Sequence, residues 1–404
     1  MTYGFRVVAN PLVGTLDAGT GAGAGADPGA DPGADPGAWG ASPTADVLAF
    51  HRRLPGYAAT PLLSLPGVAA RLGVGELVAK CESVRFGLPA FKMLGASWAT
   101  YRALCARLGG EAQLGEWHDM DDLSRLVKPL LPFRLAAATD GNHGRAVARM
   151  ARWLGFEARI FVPATTTQAR IDAIGSEGAE VVVVDGGYDD VVTRSAREEG
   201  RRCLVISDTS WPGYADVPRW VIEGYATLFA EIDDAFGRSS RRRPDVVVVP
   251  IGVGALAAAT VRHFGSDAAV IGVEPTDAAC VTASALAGRP ITLAGEQRSI
   301  MAGLNCGTPS PVAWPVVSRG LAGFVTIDDD WARDAVRTFA CCGVEAGETG
   351  AAALGGLTAL VRQGRASALG GLVHERSSVL VLVTEGASDQ PAWRKILGTE
   401  LVGG

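Results

Sequence analysis

The chain has 404 residues, 48% hydrophobic and 20% charged, with a formal net charge of −6, so it has the apolar content for a sizeable core and the length for two or three domain-sized units. Its 33 arginines are scattered rather than gathered into a basic stripe, and no nucleic-acid partner is expected. The apolar runs over 181–184 and 379–383 fall far short of the ~20 residues of a membrane helix, and the N-terminus lacks the basic, apolar and small-residue pattern of an export signal, so a cytoplasmic location without membrane association is expected.

Taken in chain order, residues 1–17 read as an arm that docks onto a larger domain, because Phe5, Val7, Val8, Leu12 and Leu16 give it something to bury. The stretch 18–40 is almost wholly Gly, Ala, Asp and Pro, with the near-repeat GADPGADPGADPGA. Such a composition buries too little apolar surface to offset its ordering entropy, and a disordered linker without a catalytic role is expected there. Beyond Pro43, short β-branched runs alternate with helix-length amphipathic stretches. Strands are expected over 77–80, 135–139, 159–162, 180–184, 204–207, 245–250, 270–274, 324–327 and 379–384, with helices between them, for example over 143–154 and 218–236. The pattern predicts an α/β fold of two open, twisted, mainly parallel sheets with flanking helices. The smaller domain, 90–204, is expected as an insertion into a larger one made of 41–89 and 205–404, with the functional site in the cleft between them.

Only four lysines occur, Lys80, Lys92, Lys128 and Lys395, which narrows any search for a reactive amine. Lys92 lies in GLPAFKMLG among small and apolar neighbours, where partial desolvation is expected to lower its pKa and free the amine to attack an aldehyde. The alternative is a surface lysine with its stem on an apolar face. Lys80, on the expected strand over 77–80, is read as structural.

Three further motifs stand where a strand gives way to a turn. Thr139-Asp140-Gly141-Asn142-His143-Gly144 opens a helix, so its N–H groups suit a carboxylate and Asn142 can donate to a phenolic oxygen; helix capping is the other reading. Pro250-Ile251-Gly252-Val253-Gly254-Ala255-Leu256 suits a phosphate brought close to the backbone, or is merely a tight turn. In Val383-Thr384-Glu385-Gly386-Ala387-Ser388, the Thr384 hydroxyl is placed to bond a pyridine nitrogen, or simply belongs to the turn. The seven cysteines include no CxxC pair, so no metal site is expected.

In this order and spacing the motifs resemble the fold-type II pyridoxal-phosphate enzymes, the group of threonine dehydratase, serine racemase and the tryptophan synthase β-subunit. Within it the chain resembles the diaminopropionate ammonia-lyase family from about Thr60 to Gly386, through FGLPAFKMLGASW, TDGNHGRAVA, GGYDDVV, DTSWPGYADVPRWVIEGYATLFAEI, IGVGALA, VEP, IMAGLNCGTPSP and EAGETGA. That resemblance implies pyridoxal 5′-phosphate as cofactor and Lys92 as its Schiff-base lysine. It implies that Asn142 contacts the cofactor's O3′, that Gly252, Val253, Gly254 and Ala255 bind its phosphate, and that Thr384 faces its ring nitrogen. Substrate is expected against Thr139, Asp140, Gly141 and His143. Asp140 stands where threonine dehydratases carry Ser and is implied as a base. A second carboxylate falls in the YDD motif, at Asp189 or Asp190, with Asp189 preferred and a helix N-cap as the other role for the pair. Pro89 and the insertion over 18–40 depart from the family pattern.

The activity implied is α,β-elimination of 2,3-diaminopropionate, D or L, to pyruvate and ammonia, by a homodimer acting on a small amino acid. A serine or threonine dehydratase, a β-replacement synthase, or a catalytically silent protein that binds the same cofactor are the rival readings. Cys280 and Cys306 flank the region that, by resemblance, borders the site entrance. Their spacing leaves open whether they are bridged, and reduced thiols are the default in a cytoplasmic protein.

Overall fold

The computed structural model describes residues 3–13, 43–364, 369 and 371–398. The linker expected over 18–40 and the docking role expected of Leu16 lie outside the described residues.

Eleven strands form two sheets: β1 Phe5–Ala9, β2 Leu62–Ser64, β3 Glu76–Cys81, β4 Arg134–Ala138, β5 Glu157–Pro163, β6 Glu180–Val184, β7 Cys203–Val205, β8 Val246–Pro250, β9 Ala269–Pro275, β10 Gly323–Ile327 and β11 Ser378–Val383. The seven-stranded sheet runs β1-β10-β9-β8-β11-β3-β2 and the four-stranded one β6-β5-β4-β7. Only the edge strands β1 and β2 pair antiparallel. The expected α/β class with two mainly parallel sheets is what the chain adopts. Every residue of β8, β10 and β11 is buried, the condition of parallel strands covered by helices on both faces, and it explains why these strands read as continuous Val/Ile/Leu runs rather than alternating ones.

The short edge strands β1 and β2 escaped the expected strand set. Neither is a β-branched run between turn signals, and each owes its extended form to the sheet edge it joins. The helix expected over 218–236 is also two helices, Asp216–Gly224 and Ala226–Gly237, meeting at Tyr225. Close packing sets the junction. A Cβ on Gly224 would fall 2.5 Å from the Leu94 carbonyl oxygen, and one on Gly95 would fall 2.7 Å from the Tyr225 ring. The helix Lys92–Leu108 therefore crosses this element at backbone contact.

Chain order determines where ligands can go. In the large sheet the chain steps outward through β8, β9 and β10, then returns as β11 on the other side of β8. In the small sheet it steps through β4, β5 and β6, and β7 returns on the other side of β4. Each return is a topological switch point, where the loops beyond the strand ends splay apart and leave a crevice. The small sheet lies in the chain between β3 and β8, and we read it as a smaller unit set into the larger one.

Candidate active site

The loops from both switch points converge on one cleft, about 680 Å³ in extent, lined by Lys92, Asp140, Asn142, Tyr188, Asp208, the stretch 252–256, Gly303, Cys306, Thr349, Thr384 and Glu385. Lys92 opens its helix two residues after Ala90, which bridges to Glu385 beyond β11. Thus the end of β11 positions both Thr384 and the lysine. Asp140 and Asn142 follow β4, Asp208 follows β7, and the glycine turn follows β8.

The amine of Lys92 donates to Asp208 Oδ2 at 2.6 Å, and the Tyr188 hydroxyl donates to Asp208 Oδ1 at 2.8 Å. This arrangement corrects the expected pKa of Lys92. Burial is the largest single influence and would lower it, but the Asp208 carboxylate with Tyr225 and Asp140 together outweigh it, and the ammonium is held above its ordinary value. In the same pair burial would raise Asp208, and the charge of Lys92 with that of His143 instead holds it well below the usual carboxylate range. Asp140 goes the other way. Burial raises its carboxyl, and Arg170 and Lys92 offset only part of that.

The glycine turn is built for close approach. Gly254 has φ +100°, and a Cβ on Gly252 would stand 3.0 Å from the Gly303 carbonyl oxygen and 3.2 Å from Cys306 Sγ. From Ala255 a helix runs to Phe264, and its first N–H groups have no acceptor within the helix. An anion at this turn meets those donors and the positive end of the helix dipole. Across the cleft, the Thr384 hydroxyl is buried with no hydrogen-bond partner. The Asn142 amide donates to Glu385 Oε2, while Glu385 Oε1 is buried without a hydrogen bond.

The predicted residues therefore divide. Lys92, Asp140, Asn142, Gly252, Val253, Gly254, Ala255 and Thr384 are brought to one cleft; Thr139, Gly141, His143 and Asp189 do not line it. The Thr139 hydroxyl accepts from Gly141 N–H at 2.9 Å, and His143 Nε2 lies 2.7 Å from the Ile206 carbonyl oxygen, so both side chains hold the turn together. Asp190 Oδ2 accepts from Gly187 N–H at 2.9 Å at the start of the helix Tyr188–Ala196, whereas Asp189 Oδ2 accepts from Thr308 Oγ1 at 2.8 Å. Cys280 and Cys306 are free, buried thiols.

Asp208, Tyr188 and Glu385 were not singled out from sequence, although each lies inside a motif already set apart: DTSWPGYADVP, GGYDDVV and TEG. No local signal distinguishes them from turn residues, because their partners lie far away in sequence, 116 residues in the case of Lys92 and Asp208.

Among known proteins, residues 53–385 match the family model described as pyridoxal-phosphate dependent enzyme. The diaminopropionate ammonia-lyase of Escherichia coli (strain K12) is 35% identical over 363 residues, spanning 86% of this chain and 89% of that protein. The crystal structure of the Escherichia coli enzyme in complex with D-serine matches with a TM-score of 0.84 at 30% identity, covering 98% of this chain and 97% of that one. The structure of the same enzyme with an aminoacrylate-PLP azomethine reaction intermediate matches with a TM-score of 0.82, also at 30% identity and with the same coverage.

Proposed function

The chain belongs to the pyridoxal-phosphate dependent enzyme family, with pyridoxal phosphate as its cofactor, and from that premise we propose that it eliminates ammonia from 2,3-diaminopropionate to give pyruvate. The cleft fits the cofactor on its own terms. It offers one amine (Lys92), a glycine turn with free N–H donors for a phosphate (252–255), an amide at Asn142 and an unpartnered buried hydroxyl at Thr384 for a ring nitrogen. Bound there, pyridoxal phosphate supplies an electron sink that acidifies the Cα–H of an amino acid.

The chain's own residues supply the proton transfers. The observation that carries this reading is the pair of carboxyl groups, half-buried Asp140 and buried Asp208, that share the cleft with Lys92 and arrive on separate loops. Asp208 is ionised while Lys92 is charged, and it becomes a stronger proton acceptor once that positive charge is withdrawn, because burial then dominates. Asp140, whose carboxyl burial raises above its ordinary value, is suited to both taking and returning a proton. One carboxyl removes the Cα proton of one enantiomer and the other that of its mirror image. The protonated carboxyl then delivers a proton to the departing β-amine, which leaves as ammonia, and the enamine product hydrolyses to pyruvate and a second ammonia. In this reading Asp208 takes the part the resemblance suggested for Asp189, which instead steadies Thr308 behind Cys306. In the Thr139–His143 turn Asp140 and Asn142, the residues that line the cleft, receive the substrate carboxylate through their backbone N–H groups.

Assaying keto-acid formation from D- and L-2,3-diaminopropionate, serine and threonine tests this proposal. The expected result is fastest turnover of diaminopropionate. Faster turnover of serine or threonine assigns a dehydratase instead, keto acid from none of them assigns a synthase or a silent protein. A homodimer and a cytoplasmic location belong to the same reading, and sedimentation velocity of the purified protein checks the first. Among the described residues no helix is long and apolar enough to cross a membrane.

A further inference from the structure

Outside the cleft of Lys92 lies a wider chamber of about 1590 Å³, open to solvent, which shares Asp140 and Tyr188 with the inner cleft. The start of the helix Glu348–Gln363 separates the two: Thr349 lines the inner cleft, while Glu348 lines the chamber. The contact across this boundary is close. Thr349 Oγ1 accepts from Gly303 N–H at 3.1 Å, and a Cβ on Gly303 would lie 3.3 Å from Asp140 Oδ2.

Glu348 is only 5% exposed, and among the described residues its carboxyl has no side-chain hydrogen-bond partner. Glu385 Oε1, nearby, is also without a hydrogen bond. The buried Arg170 beside them donates to the Asp140 carbonyl at 3.2 Å and pairs at 3.8 Å with Glu385 rather than with Glu348. Asp140, Glu296, Asp329 and Asp389 line the same chamber, so with Glu348 its carboxylates outnumber the two arginines there, Arg170 and Arg298. Burial pushes the Glu348 carboxyl up to about 7; a hydrogen bond from its own backbone N–H and the charge of Arg170 oppose the rise, and repulsion from Glu385 and Asp389 adds to it. A buried carboxyl left this way is short of a cation, and an ammonium arriving beside it restores its full charge.

We propose that Glu348 is a specificity-determining residue that receives the second, cationic amine of a diamino acid on its way into the cleft, so that such substrates are preferred over hydroxy amino acids of the same size. The inference rests on the elimination reading above and adds a residue to it. Glu348 holds the ammonium end as the molecule passes from the chamber to Asp140, and a hydroxyl in its place gains nothing from a carboxylate that must first be ionised. The residue also begins a helix, where a negative side chain is favourable, so the test must separate that role from recognition.

Steady-state kinetics of the holoenzyme and its Glu348→Gln variant on diaminopropionate and serine, with calorimetric titration of 1,2-diaminoethane and ethanolamine, make that separation. The expected result is a rise of about tenfold in KM for diaminopropionate, which corresponds to ~1.4 kcal/mol, with little change for serine. The tighter binding of the diamine over the amino alcohol should vanish in Glu348→Gln and partly return in Glu348→Asp. An equal loss for both substrates, or an unchanged preference for the diamine, overturns the proposal. If the wild-type enzyme ignores diaminopropionate, the elimination reading fails, and the two titrations still decide the role of Glu348 separately.

Discussion

Two of the four lysines sit beside a buried carboxylate at almost the same distance, Lys80 at 2.7 Å from Glu231 and Lys92 at 2.6 Å from Asp208, yet the two regions are built to opposite ends. Around Lys80 the polar groups are paired off. Its amine also donates to the Thr60 carbonyl at 2.8 Å, and Arg85 bonds both Glu82 and Glu231, giving two cations to two carboxylates. Around Lys92 the network is left open: a cleft, an unpartnered Thr384 hydroxyl and a Glu385 oxygen without a hydrogen bond lie within the same lining. A buried ion pair therefore says little by itself. What separates a structural pair from a chemical one is whether the surrounding donors and acceptors are satisfied.

The strongest way to break this contrast is to remove each amine. Lys92→Ala is expected to lose the visible absorbance of the bound cofactor and to lower turnover by at least ~10³-fold, as expected for a group that works as part of a unit. Retention of both would move the assignment to another lysine. Asp208→Asn comes next, with an expected loss of about 10²–10⁴ in kcat, the range for a general acid–base group. Asp140→Asn should fall unequally with it on D- and L-substrate, whereas Asp189→Asn should cost much less on both. Should Asp189→Asn prove the more damaging of the two, the second base is Asp189 as the resemblance suggested.

Lys80→Met should do the reverse of Lys92→Ala. It should retain the cofactor's absorbance and lower unfolding stability by roughly 3 kcal/mol, because Glu231 stays buried with half its compensation gone. Urea denaturation with absorbance as a second probe reads both. An effect of similar size appears in acid. Burial alone would raise Glu231, but Arg85 and Lys80 hold it down to about 2. Because the folded value is depressed, its contribution is present above the unfolded value of ~4.3 and is lost as pH falls from there towards about 2, an amount of roughly 3 kcal/mol. Glu231→Gln should flatten the loss of stability from about pH 4.3 down to about 2. The remaining slope should come partly from Asp208, which is depressed in the same direction. An unchanged slope in Glu231→Gln would show that the Lys80 network is not the acid-sensitive one.

Much of this protein was legible before any fold was known, because its signals are local. The buried parallel strands announce themselves as apolar runs, and the loops that end β4, β8 and β11 carry TDGNH, IGVG and TEG at the residues where a strand turns over. A glycine at positive φ such as Gly254 is a requirement of the backbone itself, so it is visible in the residue type. Lys92 could be picked out because only four lysines exist and it alone stands in the GLPAFKMLG stretch that carries the family resemblance.

The partners were another matter. Adjacent residues on a helix point about 100° apart, so whether Asp189 or Asp190 reaches across to Thr308 depends on how the helix Tyr188–Ala196 is seated, which composition does not encode locally. The sign of the Lys92 shift reversed for the same reason. Its neighbours in sequence supply only the desolvation, whereas the opposing charge comes from Asp208, delivered by the return of β7 beside β4. The sequence by itself thus determined the fold class and set apart the candidate turns and lysine, since these depend on backbone conformation and short-range burial. Only the tertiary structure decided which carboxylates face that lysine and which buried polar groups remain unpaired, because Coulomb forces and hydrogen bonds act between atoms close in space, however distant along the chain.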